Sequence, residues 1–589
     1  MLSKKNYKIL YIILLIGFYY LLIYSIQLYE SKNIPIRKNG NNKKNKLIKE
    51  NFFIIESNNL DEVSSYFYGY SISKKGIITN NYFTKIGFYE DPDPQGAFVL
   101  VKKNKDMIEI SQDYYGSYGV YIYENKGYFA FSNSFLLLVE YLIGKENMTL
   151  NEDFADNLII SGLCSPSIYE TLVNEINKIP SNSFITINIK EKTYKINYID
   201  QQRYTIPFES EEGLKIIDKW VDKWGYIFRS LKKKTDNISL DLSGGFDTRT
   251  VLAILYNSGI DLNSILINSA TKKVHTYEED FIIATNISSK LGFNLNDKEL
   301  DNNGSNFDIK TSLDISMNIK LGFHKDFYFR SKFFHKPRFY FTGGWGGVLR
   351  GYPNMPIQEY IEKISAGTRD INNIKFYNSS KRLLNRSITK LKKERKYNDD
   401  YEISIDLYLR GRGINHFGKA CAELFISNEY RLQPLADPDI KKLKISNNNK
   451  ESLHNLISYI YARFCPDLIN FPFEGKRIIN SNSIKMAEKI NKKNIPYKIK
   501  LDYNENFFID NQRKSPVFPS KNCPKPNDYL KDIFLSKNFI CNINKLYNNS
   551  IYNWAKNNYE NSNYNPLRHL NSLLAINIIL GYLSKKKKY

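Results

Sequence analysis

Residues Ser239–Thr250 read SLDLSGGFDTRT, and two adjacent glycines interrupt an otherwise ordinary apolar pattern. The alternation before them, Ile238, Leu240 and Leu242, suits a buried parallel strand. The stretch after the aspartate, TRTVLAILYNSG, reads as a short helix that stops at Gly259. Ser243, Gly244, Gly245 and Asp247 therefore stand where a strand turns into a helix. Backbone N–H groups point outward there, and the helix dipole favours an anion. Gly244 and Gly245 let a phosphate chain approach the backbone, and the hydroxyls of Ser243 and Thr248 can donate to its oxygens. Asp247 only accepts, so beside a polyphosphate it needs a Mg²⁺ ion in between. No lysine follows the glycines, which excludes a P-loop of the GKS or GKT kind. The alternative is a tight strand-to-helix turn that holds no ligand.

At 589 residues the chain is too long for one core, and at least two domains are expected. Hydrophobic residues make up 42%, ordinary for a folded protein. The net charge of +23 comes mostly from lysines scattered beside Asn and Ile. No basic helix or RNP-like aromatic pattern accompanies them, so nucleic acid is not an expected partner. The LSKKKKY tail could add attraction to anionic lipid, but a solvated, frayed end explains it more simply. Five cysteines (Cys164, Cys421, Cys465, Cys523, Cys541) lie far apart with no CxxC pair. That argues against zinc and against a disulfide framework, and fits a reducing compartment.

Ile9–Tyr29, ILYIILLIGFYYLLIYSIQLY, carries no charge and as a helix would span about 30 Å. It is expected to be a single transmembrane anchor following a short tail, residues 1–8. The run is too long for a cleaved signal peptide, and no small-x-small site follows it. A buried core helix is the other alternative. More Lys and Arg follow the span than precede it, which places the bulk of the chain on the cytoplasmic side of a bacterial-type inner membrane. Residues 30–50, rich in Lys and Asn, read as a flexible basic linker.

Residues 51–208 hold short alternating segments (GAFVLV, MIEIS, GVYIY, GYFAFS, SFITINI, KINYI) broken by Gly and Asn, which predicts layered antiparallel β structure. Over 209–589 helical stretches dominate and alternate at first with the apolar strands ISLDL, SILINS and RFYFTGG. That pattern predicts a parallel α/β sheet.

SGGFDT resembles the SGG-x-DS pyrophosphate loop of ATP pyrophosphatase domains, specifically that of the asparagine synthetase family. Further segments resemble the family in the same order. SQDYYGSYGVYIY (Ser111–Tyr123) is similar to RDRFG-x-x-PLYY, GYFAFSNSF to the FASE strand, and TLVNEINKIPSNSFITINI to the stretch leading to LPPG. TYEEDFIIATNISSKLGF resembles the helix after the second strand, with Asp280 at the acidic position. YRLQPLADPDI resembles R-x-PFLD, and FCPDLINFPFEGKR a late segment with a lysine, here Lys476.

The resemblance implies a glutaminase-like (Ntn-type) domain over 51–208 and a doubly wound PP-loop synthetase domain over 209–589, behind the membrane helix. It implies an ATP- and Mg²⁺-dependent ligase that activates a carboxylate as an acyl-adenylate, releases pyrophosphate and forms an amide with ammonia or an amine. In that reading Ser243, Gly244, Gly245, Asp247 and Thr248 hold pyrophosphate, with Asp247 as the metal ligand. Leu242 lies beside the nucleotide, Asn268 and Ser269 (and Ala270) line the adenine pocket, and Thr342 and Gly343 face the nucleotide. Lys476 neutralises developing phosphate charge. Lys476 and Arg350 both have ordinary surface readings too. A membrane-tethered carboxylate, such as a lipid-linked sugar acid in surface-polysaccharide modification, is the expected substrate class.

Two departures stand out. The family's glutaminase nucleophile is a cysteine after the initiator Met, and here position 2 is Leu2, so no glutamine hydrolysis is expected and the glutaminase-like domain is degenerate. TGGWGGVLRGY (Thr342–Tyr352) stands in place of SGEG-x-DE-x-x-GGY, so Gly344, Gly347 and Val348 replace three acids. A catalytically inactive nucleotide-binding or scaffold protein is therefore the rival reading.

Overall fold

The computed structural model describes residues 50–81, 94–199, 205–269, 278–296, 304–306, 309–325, 332–349, 352–353, 355–366, 374–444, 450–493, 500–510, 526–561 and 568–584. The expected span 9–29 lies outside them, as do the tail before it and nearly all of the linker after it. Among the described residues no helix is long and apolar enough to cross a membrane. The expected fold class, headed by a transmembrane helix, is thereby corrected to a mixed α/β architecture with antiparallel sheets. The physical reason is visible in the longest helices. Glu211–Lys232 and Ile374–Glu394 have the length, but each carries charges along one side and buries the other.

Among the described residues, ten strands make two antiparallel sheets. They are β1 (Ile54–Glu56), β2 (Tyr66–Ser73), β3 (Gly76–Ile78), β4 (Gly96–Lys103), β5 (Met107–Gln112), β6 (Tyr121–Asn125), β7 (Tyr128–Ser132), β8 (Ile176–Lys178), β9 (Ser183–Asn188) and β10 (Thr193–Tyr198). Their orders are β1-β7-β6-β8 and β10-β9-β5-β4-β2-β3. Tyr, Phe, Ile and Val fill them because branched and aromatic side chains pack well on a pleated surface. In β9, Ser183, Ile185 and Ile187 are buried and alternate with more exposed neighbours, as one covered face requires. β2 and β4 are buried over most of their length because both of their faces are covered. Tyr68, Val99 and Val101 join the core between the two sheets, while Tyr70, Ile72 and Ala97 pack toward the helix Glu211–Lys232.

After a short strand β11 (Ile206–Pro207) come β12 (Ile238–Asp241), β13 (Leu266–Asn268), a small antiparallel pair β14 (Gly304–Asn306) and β15 (Lys332–Phe334), then β16 (Arg338–Phe341), β17 (Glu429–Leu432) and β18 (Leu443–Lys444), which pairs with β11. The strands β13-β12-β16-β17 form one parallel sheet, with Leu240 opposite both Ile267 and Phe341. The chain runs from β12 to a neighbour on one side and then crosses to the other side. In open α/β sheets such a reversal leaves a crevice at the carboxyl ends of the strands. β12 ends at Asp241, and SGGFDT follows directly.

The antiparallel layers and the parallel sheet are bonded to each other. The Tyr70 hydroxyl donates to the Arg431 carbonyl at 2.8 Å, and Gln95 Nε2 and Trp224 Nε1 both donate to Asp437 Oδ2, at 3.0 and 2.9 Å.

Candidate functional site

The helix Phe246–Asn257 begins immediately after the glycines, and no side chain caps its first turn. The positive end of its dipole therefore lies at the carboxyl end of β12 without a side-chain cap. The loop before it is held by its own hydroxyls. Thr248 Oγ1 accepts from Ser243 N–H at 3.1 Å, and Ser243 Oγ accepts from Gly245 N–H at 3.2 Å. Asp280, near the start of the helix Glu278–Leu291, accepts the Gly244 N–H at 2.5 Å. A Cβ at 244 would lie 2.7 Å from the Asp280 carboxylate, so that side chain would have to shift to admit one.

From beneath, Arg249 fixes the same loop. Its guanidinium is buried, donates to Gly244 O at 3.0 Å and to Phe471 O at 3.1 Å, and also bonds Pro472 O. It lies 4.2 Å from the Phe473 ring, and burial pulls its pKa down to about 10. Sequence reasoning passed over Arg249, because an arginine in a helix carries no signal that it faces three carbonyls.

The segment Thr342–Gly347 closes over Asp247. A Cβ on Gly346 would sit 2.2 Å from Asp247 Cγ, and one on Gly343 would sit 2.7 Å from Asp247 Cβ. Thr342 Oγ1 accepts the Gly344 N–H at 3.0 Å. Trp345 has φ +69°, is buried, stacks on Tyr115 at 3.9 Å and donates from Nε1 to Gln433 Oε1 at 3.0 Å. An indole N–H only donates, so its partner atom must be the amide oxygen. Gln433 Nε2 then points at Gly344: a Cβ there would lie 2.5 Å from it. The space of a side chain at 344 is thus filled by the amide of Gln433.

The other expected residues divide. Leu242 is buried in the core, although its N–H donates to Asn268 O at 2.7 Å. Asn268 Oδ1 accepts from Asn296 at 2.8 Å, while Asn268 Nδ2 and Ser269 Oγ are buried with no hydrogen-bond partner among the described residues. Lys476 has an exposed side chain and φ +53°. Glu279 accepts the backbone N–H groups of Gly475 and Lys476, at 2.9 and 3.3 Å, and Glu474 N–H reaches Gly244 O at 3.4 Å. So the Lys476 segment borders the glycine loop. Ala270 and Arg350 lie outside the described residues. Asp241, just before the loop, has its carboxyl pushed up to about 6 by burial, against the opposing pull of Arg431 and the Asn268 amide.

Asp247 and Asp280 meet the loop from two sides, an arrangement with acceptors for a hard cation and donors for an anion. Among the described residues no group of three or more His, Cys, Asp or Glu is placed to hold a metal by itself. A Mg²⁺ ion here would need ligand oxygens from a bound phosphate, which fits its habit of keeping few protein ligands. No protein-family model matches the chain, and no curated protein matches it.

Proposed function

We propose that the chain activates a carboxylate with ATP, releasing pyrophosphate, and passes it to ammonia or an amine to make an amide. The observation that carries this reading is the uncapped helix N-terminus after Gly244–Gly245, at the carboxyl end of β12, with Asp247 and Asp280 on either side of the loop. Ser243, Gly245 and Thr248 would face the phosphates, and Asp247 with Asp280 would meet Mg²⁺, which supplies charge neutralisation when bound. Asn268 Nδ2 and Ser269 Oγ offer buried polar groups to the nucleotide base. The chain entering β1 reads Asn51–Phe52–Phe53 and offers no thiol there. Cys421 and Cys465 are buried, which pushes their thiols up to about 11 and 12. Nitrogen from ammonia or an amine, without glutamine hydrolysis, agrees with both facts.

The non-catalytic nucleotide-binding or scaffold reading has one observation in its favour: the N–H groups of Ser243, Gly244 and Gly245 already have partners within the protein. One substitution separates the two. Asp247→Asn keeps size but removes the charge. If the ligase reading holds, pyrophosphate release from ATP with a carboxylate panel and hydroxylamine should fall by upwards of ~100-fold, or about 3 kcal/mol. Stability should move by only ~0.5 kcal/mol. A wild-type chain that releases no pyrophosphate with any carboxylate, or an Asp247→Asn chain as active as wild type, would remove the ligase reading.

A further inference from the structure

Trp345 holds a backbone conformation that large residues avoid. Gly346 N–H donates to Gly343 O at 3.2 Å, which closes a four-residue turn, and Trp345 is its third residue with φ +69°. Positive φ at that position of a turn calls for glycine, and a bulky residue keeps it only where its surroundings over-determine it. Those surroundings are on the page. The indole is 1% exposed, stacks on Tyr115 with ring centroids 3.9 Å apart, and donates to Gln433 Oε1 at 3.0 Å. Gly413 leaves room for the edge of the ring, since a Cβ there would lie 2.7 Å from it, and the Phe417 ring is 5.6 Å away. The Trp345 carbonyl accepts from Lys441 Nζ at 3.3 Å.

Both ends of the same turn rest on Asp247. A Cβ on Gly343 would stand 2.7 Å from Asp247 Cβ and 2.8 Å from Thr248 N, and one on Gly346 would overlap the carboxylate. The turn that fixes Trp345 therefore also sets the room left to the Asp247 side chain. On the far side of the indole, Tyr115 belongs to the antiparallel layers. Asp113, buried just after β5, accepts the N–H groups of Phe98, Tyr115 and Ser117 at 3.2, 3.1 and 2.9 Å, and the Ser117 hydroxyl at 2.9 Å. A buried carboxylate with four donors fixes the segment that presents the Tyr115 ring.

We propose that Trp345 is a positioning residue for Asp247, clamped in its left-handed conformation by Tyr115 and Gln433. The antiparallel layers then set the aim of the Asp247 carboxylate through one stacked pair of rings. Without the clamp Trp345 relaxes to negative φ, the turn opens, and Gly343 and Gly346 withdraw from Asp247. A metal ligand misplaced in this way loses affinity although its own chemistry is unchanged. That Asp247 meets Mg²⁺ rests on the ligase reading above; that Tyr115 aims it through Trp345 does not.

The test compares Tyr115→Leu with Tyr115→Phe, which keeps the stacked ring, in the full-length chain well below its melting temperature. Hydrogen exchange is followed by mass spectrometry in peptides covering 342–349, where the N–H groups of Thr342, Gly344 and Gly346 are all hydrogen-bonded. Carbodiimide labelling reports the half-buried Asp247 carboxylate. Tyr115→Leu should speed exchange in this segment by about tenfold or more and raise the labelling of Asp247, with β4 peptides unchanged. Tyr115→Phe should match the wild type in both. Should Tyr115→Leu fail to fold, Trp345→Gly, which the turn accepts without strain, carries the same expectation. The Mg²⁺ dependence of ATP binding, measured separately, should move to higher Mg²⁺ in Tyr115→Leu and stay in place in Tyr115→Phe. A wild-type chain that binds no Mg·ATP would remove the ligase reading, and exchange and labelling would still decide the clamp. Unchanged exchange or unchanged Asp247 labelling in Tyr115→Leu or Trp345→Gly, faster exchange that extends to β4, or a Tyr115→Phe chain as loose as Tyr115→Leu would each overturn the proposal.

Discussion

A single methyl group at Gly346 would collide with Asp247, on which the proposed chemistry depends. Its Cβ would stand 2.2 Å from Asp247 Cγ and 2.3 Å from Oδ1, so Gly346→Ala must push the carboxylate or the loop aside. Overpacking of this kind costs about 1–3 kcal/mol. We expect Gly346→Ala to lower the denaturation midpoint accordingly and to abolish Mg·ATP binding by calorimetry, whereas Gly347→Ala, whose Cβ meets nothing closer than 3.4 Å, should be milder on stability. A second residue-scale expectation concerns Asp241. Its folded pKa, about 6, exceeds the unfolded carboxylate value near 4, so the native state binds the proton more tightly. Stability from this group therefore rises as pH falls from about 7 to 4 and levels off below. Melting curves across that window should show the gain reduced in Asp241→Asn; an identical slope in both proteins would count against a shifted Asp241. At this scale the sequence was readable where glycines and an acid share a turn. It was silent on Gln433, because an amide filling the place of an absent side chain 89 positions earlier leaves no local pattern.

At the scale of elements, period-two alternation announced the antiparallel strands, and apolar runs flanked by helical stretches announced β12, β13 and β16. The segment YLRGRGINHFG was not readable as a helix, since its glycines look like breaks. The structure gives them another role. At Gly411 a Cβ would lie 2.0 Å from the Pro166 carbonyl, and at Gly413 one would meet Trp345, so these glycines let the π-helical segment approach both neighbours. Its winding brings Gly413 and Phe417 against Trp345 of the loop Thr342–Gly347, and π-type segments are frequent at functional sites. The anchoring of the glycine loop is also an element-scale property. Arg249 holds the loop, the start of its own helix and the strand-like run Phe471–Phe473 together through three carbonyls. Arg249→Met fills much of the space but strands those carbonyls in a buried place, for a loss of about 3 kcal/mol. Urea unfolding should show it, and ATP affinity should fall as the loop loosens; a stability change under ~0.5 kcal/mol would mean that the three bonds do not anchor the loop.

Over the whole molecule, residues on both sides of position 208 share hydrophobic cores. Tyr70, Ile72, Ile77 and Ala97 belong to the core built around the parallel sheet and the helix Glu211–Lys232. In return Ile315, Ile319, Ala422 and Ile426 join the core between the antiparallel sheets. Such sharing cannot be seen in a linear pattern, because alternation tells which face of a strand is buried and not which distant element covers it. Asp437 shows the coupling in polar form: it accepts from Gln95 and Trp224, and Lys223 lies 3.3 Å away. Removing it would leave a buried amide and a buried indole N–H without their acceptor and the half-buried Lys223 ammonium without its acid, at a cost of about 3 kcal/mol. Two outcomes follow for the molecule as a unit. A fragment of residues 50–208 alone should lack a cooperative thermal transition, because its β2–β4 face loses the helix that covers it. The full chain should melt with near- and far-ultraviolet circular dichroism superimposed, and Asp437→Ala should lower both signals' midpoint together. Should the fragment melt cooperatively, or should Asp437→Ala split the two signals, the antiparallel layers would be an independent folding unit. The contact of Tyr115 with Trp345 would then be a docking surface between two units, with the loop over Asp247 set by that docking instead of by a common core.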